Sequence, residues 1–283
     1  MKRIMFLAAV MLVSALLLSA CGGNPAHTAT GTVGGTAGVS ASATVTGGTT
    51  GTEEASPLKE VSCFSSVSTD FDNDGASETL SFKEDADGVT AVLTDGDKRM
   101  EYRLPQAYYG REYVYCRGDG TAVLVDYDLA SDDYETCFIT YNGRQLLTVM
   151  LTGSVVSADS GQLRLAGTVN ILGSWQAVSC YSIDSALNIS RTDDVYRITD
   201  GREIVCAVPL TLVKDGSGGE TVTVPAGGSI IPVAANLRDT VWCRVPGEEQ
   251  LYILGVTLSP DESIFLVDGI PENEAFNDLR YYD

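Results

Sequence analysis

From Val61 onward the chain is a succession of short runs rich in β-branched and aromatic residues, separated by turn-forming residues. No long stretch repeats its apolar residues with a helical period, whereas the length of the runs is typical of strands. The pattern therefore predicts an all-β protein. The candidate strands of the first part are Val61–Val67, Glu78–Phe82, Val89–Thr94, Glu112–Cys116, Ala122–Asp128, Tyr134–Tyr141, Gln145–Leu151, Gln162–Thr168 and Ala177–Ile183.

The strand pattern divides into two parts near Thr199-Asp200-Gly201. Residues 59–200 predict an antiparallel β-sheet domain, either propeller-blade-like or a sandwich. Residues 201–283 carry closely spaced strands that predict a small β-barrel, followed by a tail in which Pro271–Phe276 forms one short helix. Asn142-Gly143 and Asp95-Gly96 predict hairpin turns, because these residue pairs tolerate the backbone angles of tight turns.

The first residues have the pattern of an export signal. Lys2 and Arg3 precede an unbroken apolar run that ends in Leu18-Ser19-Ala20-Cys21. This order of charge, apolar segment and small-residue cleavage site is typical of a secretory signal, and a Cys directly after the cut is typical of a lipoprotein. We therefore predict a signal peptide over residues 1–20 and lipidation of Cys21. Acyl chains on that sulfur would hold the protein on a cell membrane or outer envelope, facing outside the cytoplasm.

The segment after Cys21 predicts a disordered tether. Gly, Thr, Ala, Ser and Val make up nearly all of it, and such a composition does not bury enough apolar surface to offset the entropy of ordering. We place this linker at residues 21–58. It contains His27, the only histidine of the chain.

The formal net charge of −20 limits the partners of the folded part. A surface this acidic repels nucleic acid and anionic lipid headgroups, so we expect no nucleic-acid partner and membrane contact only through the lipid anchor.

Six cysteines remain once Cys21 is assigned to the anchor. Outside the cytoplasm an even number permits three disulfides, although the sequence does not choose their pairing. The alternative is that each is a small apolar strand residue. A zinc site is less consistent, because no histidine accompanies the thiols. The six are Cys63, Cys116, Cys137, Cys180, Cys206 and Cys243.

An acidic loop between two candidate strands predicts a calcium site. Carboxylates occupy its first, third, fifth and ninth positions, and Gly75 at the sixth permits a sharp bend. Calcium takes oxygen ligands, and alternate residues of a tightly curling loop point inward. The candidate ligands are the side chains of Asp70, Asp72, Asp74 and Glu78 and the backbone carbonyl of Ala76. Ser81 stands where an EF-hand has its last Glu, so we expect a strand-loop-strand turn, with an ion-free Asp-rich hairpin as the alternative.

The acidic loop resembles the metal-binding turn of FG-GAP and VCBS-type repeats, over roughly Val61 to Phe82. This resemblance implies a β-repeat of the kind found in adhesins and surface proteins. A single copy does not make a propeller.

The C-terminal part resembles a bacterial Src-homology-3-type (SH3-like) domain over roughly Glu203 to Leu258. The matching segments are Val224–Ile230 and Val241–Val245, and Leu251-Tyr252-Ile253 stands near where the family has Gly-Tyr-Ile. The resemblance implies a small barrel that binds or spaces, often directed at cell-wall peptides. Trp242 is either a ligand-stacking residue or a core residue.

A second acidic group spans the hairpin that begins with Asp126 and Asp128, which alternate onto one strand face. It contains Asp132, Asp133 and Glu135 as well. We retain Asp126 and Asp128 as candidate residues of an ion or sugar site, against the alternative of a solvated edge whose charges discourage aggregation.

The folded part contains no imidazole, which excludes the histidine-dependent hydrolytic mechanisms and His-ligated zinc. A carboxylate pair such as Asp126 with Glu135 is the enzymatic route that remains. We therefore expect a non-catalytic, calcium-stabilised binding or adhesion module that recognises a glycan or a cell-wall peptide. A carboxylate-dependent glycan hydrolase and a scaffold subunit of an envelope complex are the alternatives.

Overall fold

The computed structural model describes residues 57–86, 88–105, 108–117, 120–128, 134–159, 161–261 and 263–281. In these ranges the chain is almost entirely antiparallel β-structure with one short helix, so the all-β prediction is confirmed. The predicted signal peptide, Cys21 and most of the predicted tether lie outside the described residues, as do Asp132 and Asp133. In the part of the chain that is described, no helix combines the length and the hydropathy that a membrane crossing needs.

The strands follow one another with short connections. The first group is β1 (Leu58–Val61), β2 (Val67–Thr69), β3 (Glu78–Asp85), β4 (Gly88–Asp95), β5 (Lys98–Arg103), β6 (Tyr108–Arg117), β7 (Gly120–Asp128), β8 (Tyr134–Tyr141) and β9 (Leu146–Thr152). The second group is β10 (Ser154–Asp159), β11 (Gln162–Asn170), β12 (Ser174–Ile183), β13 (Ile189–Arg191), β14 (Tyr196–Ile198), β15 (Ile204–Cys206), β16 (Leu210–Lys214), β17 (Thr221–Val224), β18 (Ser229–Ala235), β19 (Thr240–Arg244) and β20 (Tyr252–Gly255). The last group is β21 (Thr257–Leu258), β22 (Phe265–Val267), β23 (Ile270–Pro271), the helix α1 (Glu272–Ala275) and β24 (Phe276–Asn277).

The first nine strands form two sheets that pack face to face. The four-stranded sheet has the order β2-β3-β4-β5, and the five-stranded sheet has the order β1-β6-β7-β8-β9. One hydrophobic cluster lies between them and takes Leu80 and Leu93 from the first sheet and Val123 and Val125 from the second. Of the two arrangements that the sequence leaves open, the structure has the sandwich.

The five-stranded sheet is buried on both faces at β7. Residues 121–127 are all buried. Val123 and Val125 face the four-stranded sheet, whereas Ala122 and Leu124 join a different cluster with residues of β10, β11 and β12. The sheet is therefore the middle of three layers, which is why β7 is a nearly continuous apolar run instead of an alternating one.

The last layer is a large sheet that continues into the C-terminal part. Its main path is β10-β11-β12-β14-β18-β19-β20-β16-β17. Its core combines Trp175 and Ala177 of β12 with C-terminal residues such as Leu212 and Val241. The predicted boundary after residue 200 thus falls inside a continuous sheet. β18 pairs with β14, and β14 pairs with β12, so the C-terminal strands continue the large sheet. The pairings of the described strands therefore stay open, whereas the sequence predicts a closed small barrel.

The predicted turns and the tail are present. Asp95 pairs with Lys98 around Gly96, and Tyr141 pairs with Leu146 around the Asn142–Gln145 turn. Phe276 follows α1 and is 2% exposed, in the same core cluster as Trp175.

Candidate metal centre

The acidic loop connects β2 to β3, as the strand-loop-strand prediction requires. Thr69 at the end of β2 pairs with Glu78 at the start of β3, so the loop closes on itself. The carboxylates of Asp70, Asp72, Asp74 and Glu78 each offer an oxygen within 4.8 Å of the others. The four side chains therefore converge on a space that suits one metal ion.

Hydrogen bonds inside the loop set its curl. The Asp70 carboxylate accepts the N–H groups of Asp74 at 3.1 Å and Gly75 at 2.9 Å, and Asp74 Oδ1 accepts the N–H of Ala76 at 2.8 Å. Asn73 and Gly75 have φ angles of 61° and 92°. Positive φ at alternate residues turns the chain tightly, and glycine adopts it without steric cost.

Glu78 is the buried wall of the centre. Glu78 is 1% exposed, and its Oε2 accepts the N–H of Phe71 at 2.8 Å. Its Oε1 is buried and has no hydrogen-bond partner among the described residues. Burial raises the pKa of this carboxyl, the Phe71 N–H lowers it, and the negative charges of Asp72, Asp70 and Asp74 raise it further. An unpartnered buried acceptor beside three acids is costly unless a positive charge compensates it.

Two neighbouring turns border the centre. Lys98 in the β4–β5 hairpin bonds Asp95 at 2.7 Å, and the Tyr141 hydroxyl donates to the same carboxylate at 2.8 Å. The bond to Asp95 is the main cause that raises the pKa of Lys98, and the charges of Asp72 and Asp74 raise it further. On the other side, a Cβ on Gly143 in the β8–β9 turn would lie 2.6 Å from Asp72 Oδ2. In the sequence Gly143 is marked only as a turn residue, whereas in the fold its missing side chain also leaves room for a candidate ligand.

We expect Gly143→Ala to weaken ion binding, because the new methyl group would push the Asp72 carboxylate away. Gly143 also has a φ of 80°, so alanine costs about 1–2 kcal/mol in backbone strain. Gly96→Ala is the matched control: its φ is 53°, yet no atom lies within 4 Å of the added Cβ. Thermal unfolding with and without calcium separates the two effects. Equal calcium responses in the two variants would contradict the role of Gly143.

Asp126 has structural partners instead of an open site. It is 3% exposed, its Oδ1 accepts the Thr136 hydroxyl at 2.7 Å, and both its oxygens accept the N–H of Val155. The carboxylate thus ties the five-stranded sheet to β10. Burial is the main cause that raises its pKa. Asp128 lies half-buried at the end of the same strand, two residues beyond Asp126.

Asp126 and Glu135 do not form a catalytic pair. Asp126 lies opposite Thr136, whereas Glu135 lies opposite Tyr127 and accepts its hydroxyl. Neighbouring residues of a strand face opposite sides of the sheet. The two carboxylates therefore lie on different faces and do not flank one sugar bond.

Trp242 is half-buried and faces away from the core. Val241 and Cys243, on either side of it in β19, are fully buried. Its cross-strand neighbours are Ala234 of β18 and Ile253 of β20. The tryptophan of the core is instead Trp175, which is 0% exposed and donates its indole N–H to the Ile171 carbonyl at 2.9 Å.

All six described cysteines are free thiols. Cys137, Cys206 and Cys243 are buried, and burial raises the pKa of Cys137 and of Cys243 to about 12. These three behave as small apolar strand residues, which was the second of the two interpretations.

Glu112 is a buried acid that no sequence pattern singles out. It is 0% exposed in β6, and its Oε2 accepts the N–H of Phe64 at 2.5 Å. Its Oε1 has no partner among the described residues. Burial raises its pKa to about 8. The residues beside it in β6 are polar or aromatic, as in an edge strand, so no local pattern in the sequence predicts that Glu112 is buried.

Comparisons of the chain with protein-family models, with curated proteins and with solved structures return no match.

Proposed function

We propose that this protein is a lipid-anchored, extracytoplasmic binding module without catalytic activity, stabilised by a calcium ion in the turn between β2 and β3. The observation that carries the ion is the buried Glu78 Oε1, which has no hydrogen-bond partner among the described residues and belongs to a carboxylate within reach of those of Asp70, Asp72 and Asp74. A cation is the group that would satisfy all four acids at once.

Calcium suits these donors better than a transition metal does. All four side chains of the cluster are carboxylates, with no imidazole or thiolate among them. Oxygen-only sets suit hard cations, and calcium accepts about 6–8 oxygens in a flexible shell, whereas magnesium demands a near-ideal octahedron. The Ala76 carbonyl and water would complete the shell.

The proposed ion is structural. Phe71 lies between two of the ligands, and its side chain is 2% exposed in the core between the two sheets of the sandwich. Neutralising the acids would favour the loop conformation that holds Phe71 in this core. Lys98 does not replace the ion, because its side chain is 66% exposed and bonds Asp95.

The anchored location rests on the sequence. Leu18-Ser19-Ala20-Cys21 follows the basic start and the apolar run in the order of a lipoprotein signal. The acidic body suits a domain held away from an anionic envelope.

The proposed binding face is the outer side of β18, β19 and β20, where Trp242 lies between Ala234 and Ile253. A half-exposed indole offers a stacking surface for a sugar ring or a peptide. The resemblance of this segment to SH3-like domains supports a glycan or a cell-wall peptide as the ligand class.

Retention on immobilised cell-wall glycans and peptides tests the binding role. We expect the full chain to be retained without turnover, and Trp242→Ala to lower retention about tenfold or more, since buried Trp contacts dominate binding energies. Tyr134→Ala is the control, because Tyr134 is also exposed, at 41%, and is not part of this face. Turnover of the glycan, or equal retention of the two variants, would contradict the proposal.

A further inference from the structure

The strand β9 ends the five-stranded sheet. It pairs with β8, and among the described residues no strand pairs with its other edge. Both of its faces carry apolar side chains, and three of these apolar side chains are exposed: Leu147 at 38%, Val149 at 43% and Met150 at 36%. An exposed apolar edge of this length is a template for pairing with another strand.

Two hydrogen bonds show which backbone groups of β9 point outward. Asn142 N–H donates to the Gln145 carbonyl before the strand, and Gly153 N–H donates to the Tyr134 carbonyl after it. Residues of an antiparallel strand alternate between those bonded to the neighbour and those facing away. The N–H and C=O groups of residues 147, 149 and 151 therefore point toward β8. Those of Leu146, Thr148 and Met150 point outward.

The edge lacks the features that normally prevent strand pairing. Residues 145–153 contain no charged residue and no proline, in a chain where 20% of the residues are charged. The strand β5, which ends the opposing four-stranded sheet, carries Lys98, Arg99, Glu101 and Arg103. The chain thus protects the β5 edge with charge and leaves the β9 edge apolar.

We propose that β9 pairs antiparallel with β9 of a second copy of this chain, about a two-fold axis at Val149. This register sets Thr148 of one copy opposite Met150 of the other, and both have outward backbone groups. Val149 then faces Val149 of the second copy, and Leu147 faces its Leu151. Every exposed apolar side chain of the strand gains a partner.

The strand complements itself, which favours a second copy over a different partner: about Val149, the outward backbone groups of Thr148 in one copy meet those of Met150 in the other. The net charge of −20 on each copy opposes association, so the attraction has to come from this uncharged strand. A basic partner strand would be recognised by acids, and residues 145–153 offer none. A single strand pair falls below the ~1,200 Å² of a standard interface, so the dimer is weak and depends on concentration.

Cross-linking of the full chain tests the register. In a non-hydrogen-bonded pair the two Val149 Cα atoms would be about 4.5 Å apart, within the range that a disulfide spans. We expect Val149→Cys chains to form a covalent dimer with oxidised glutathione, which accepts the two electrons and leaves as two glutathione thiols. Leu147→Cys is the matched control, because its symmetry mate lies four residues away along the strand. The wild-type chain gives the background of its own thiols.

Sedimentation of the full chain tests the dimer itself. We expect wild type to dimerise with rising concentration, Thr148→Lys to lose the dimer, and Thr223→Lys on the β17 edge to retain it. Unchanged melting temperatures of both variants would show that they fold. A monomer at every concentration, equal cross-linking of both cysteine variants, or a ladder of larger multimers would each overturn the two-fold pair.

Discussion

Calcium added to the metal-free chain is expected to raise its melting temperature by roughly 5–10 °C. Binding to the folded state alone stabilises it by about 2.7 kcal/mol at a calcium concentration 100 times the dissociation constant. For a folded part of this size, 1 kcal/mol corresponds to about 2–4 °C. The gain is large because the metal-free centre holds four close carboxylates, and Glu78 Oε1 is buried without a partner in the described part of the chain. Differential scanning calorimetry of chelator-treated protein, with and without calcium, measures it.

Glu78→Gln separates ion binding from simple stabilisation. The amide keeps the shape of the side chain and removes one of the four like charges, so we expect the metal-free variant to melt at or above the temperature of metal-free wild type. Its response to calcium should be lost. Asp97→Asn is the matched control, because Asp97 is an exposed acid of the adjacent β4–β5 turn and is not part of the cluster. The absence of a calcium response in wild type, or its survival in Glu78→Gln, would contradict the site.

The all-β class and the main turns were readable in the sequence because they depend on local patterns. Alternating and continuous apolar runs predict strands whatever their partners are, and Gly96 and Gly143 mark turns by their conformational freedom. The continuous sheet across residue 200 was not readable. The pairing of Tyr196 and Arg197 with Ala235 and Ala234 joins segments that are distant in the chain, and only two residues of β14 make it.

The ligands of the candidate metal centre were also predictable from a local pattern. Its ligand spacing lies within nine consecutive residues, so Asp70, Asp72, Asp74 and Glu78 could be selected from sequence. The close approach of Gly143 to Asp72 and the burial of Glu78 arise from tertiary packing, and no local pattern encodes them. The same reason explains why sequence could not assign the buried tryptophan role to Trp175 in place of Trp242.

Glu112 makes the stability of the fold depend on pH. Its pKa is raised to about 8, chiefly by burial, from the ordinary value of 4.5, while N–H groups of Phe64 and Ser65 oppose the shift. Between about pH 4.5 and pH 8, the Glu112 carboxyl therefore keeps its proton in the folded state, whereas in the unfolded chain it has released that proton. Stability from this group is fully present below about pH 4.5 and is lost as pH rises to about 8. The Cys63 thiol beside it stays neutral through this range, because its pKa is raised to about 11, mainly by burial.

Glu112→Gln should remove this pH dependence. At ~1.4 kcal/mol per pKa unit, the difference between the folded and unfolded pKa values lowers the free energy of unfolding of wild type by about 4 kcal/mol between pH 5 and pH 9. The amide still accepts from Phe64 N–H but leaves its own N–H groups without a partner, which costs about 1–3 kcal/mol. We therefore expect the two stability curves to cross: wild type is the more stable at pH 5, and Glu112→Gln is the more stable at pH 9.

Urea unfolding at a series of pH values, with calcium absent throughout, measures the crossing. Comparing variants at each pH cancels the shared contributions of Glu78, Asp126 and Glu272, whose pKa values burial also raises. Glu60→Gln is the control, because Glu60 is exposed on β1 and pairs with Tyr113 next to Glu112. Parallel curves for wild type and Glu112→Gln would mean that the carboxyl is already ionised in the folded state at neutral pH. The unpartnered Oε1 would then carry a full negative charge in the interior, and a compensating cation would have to lie beside it.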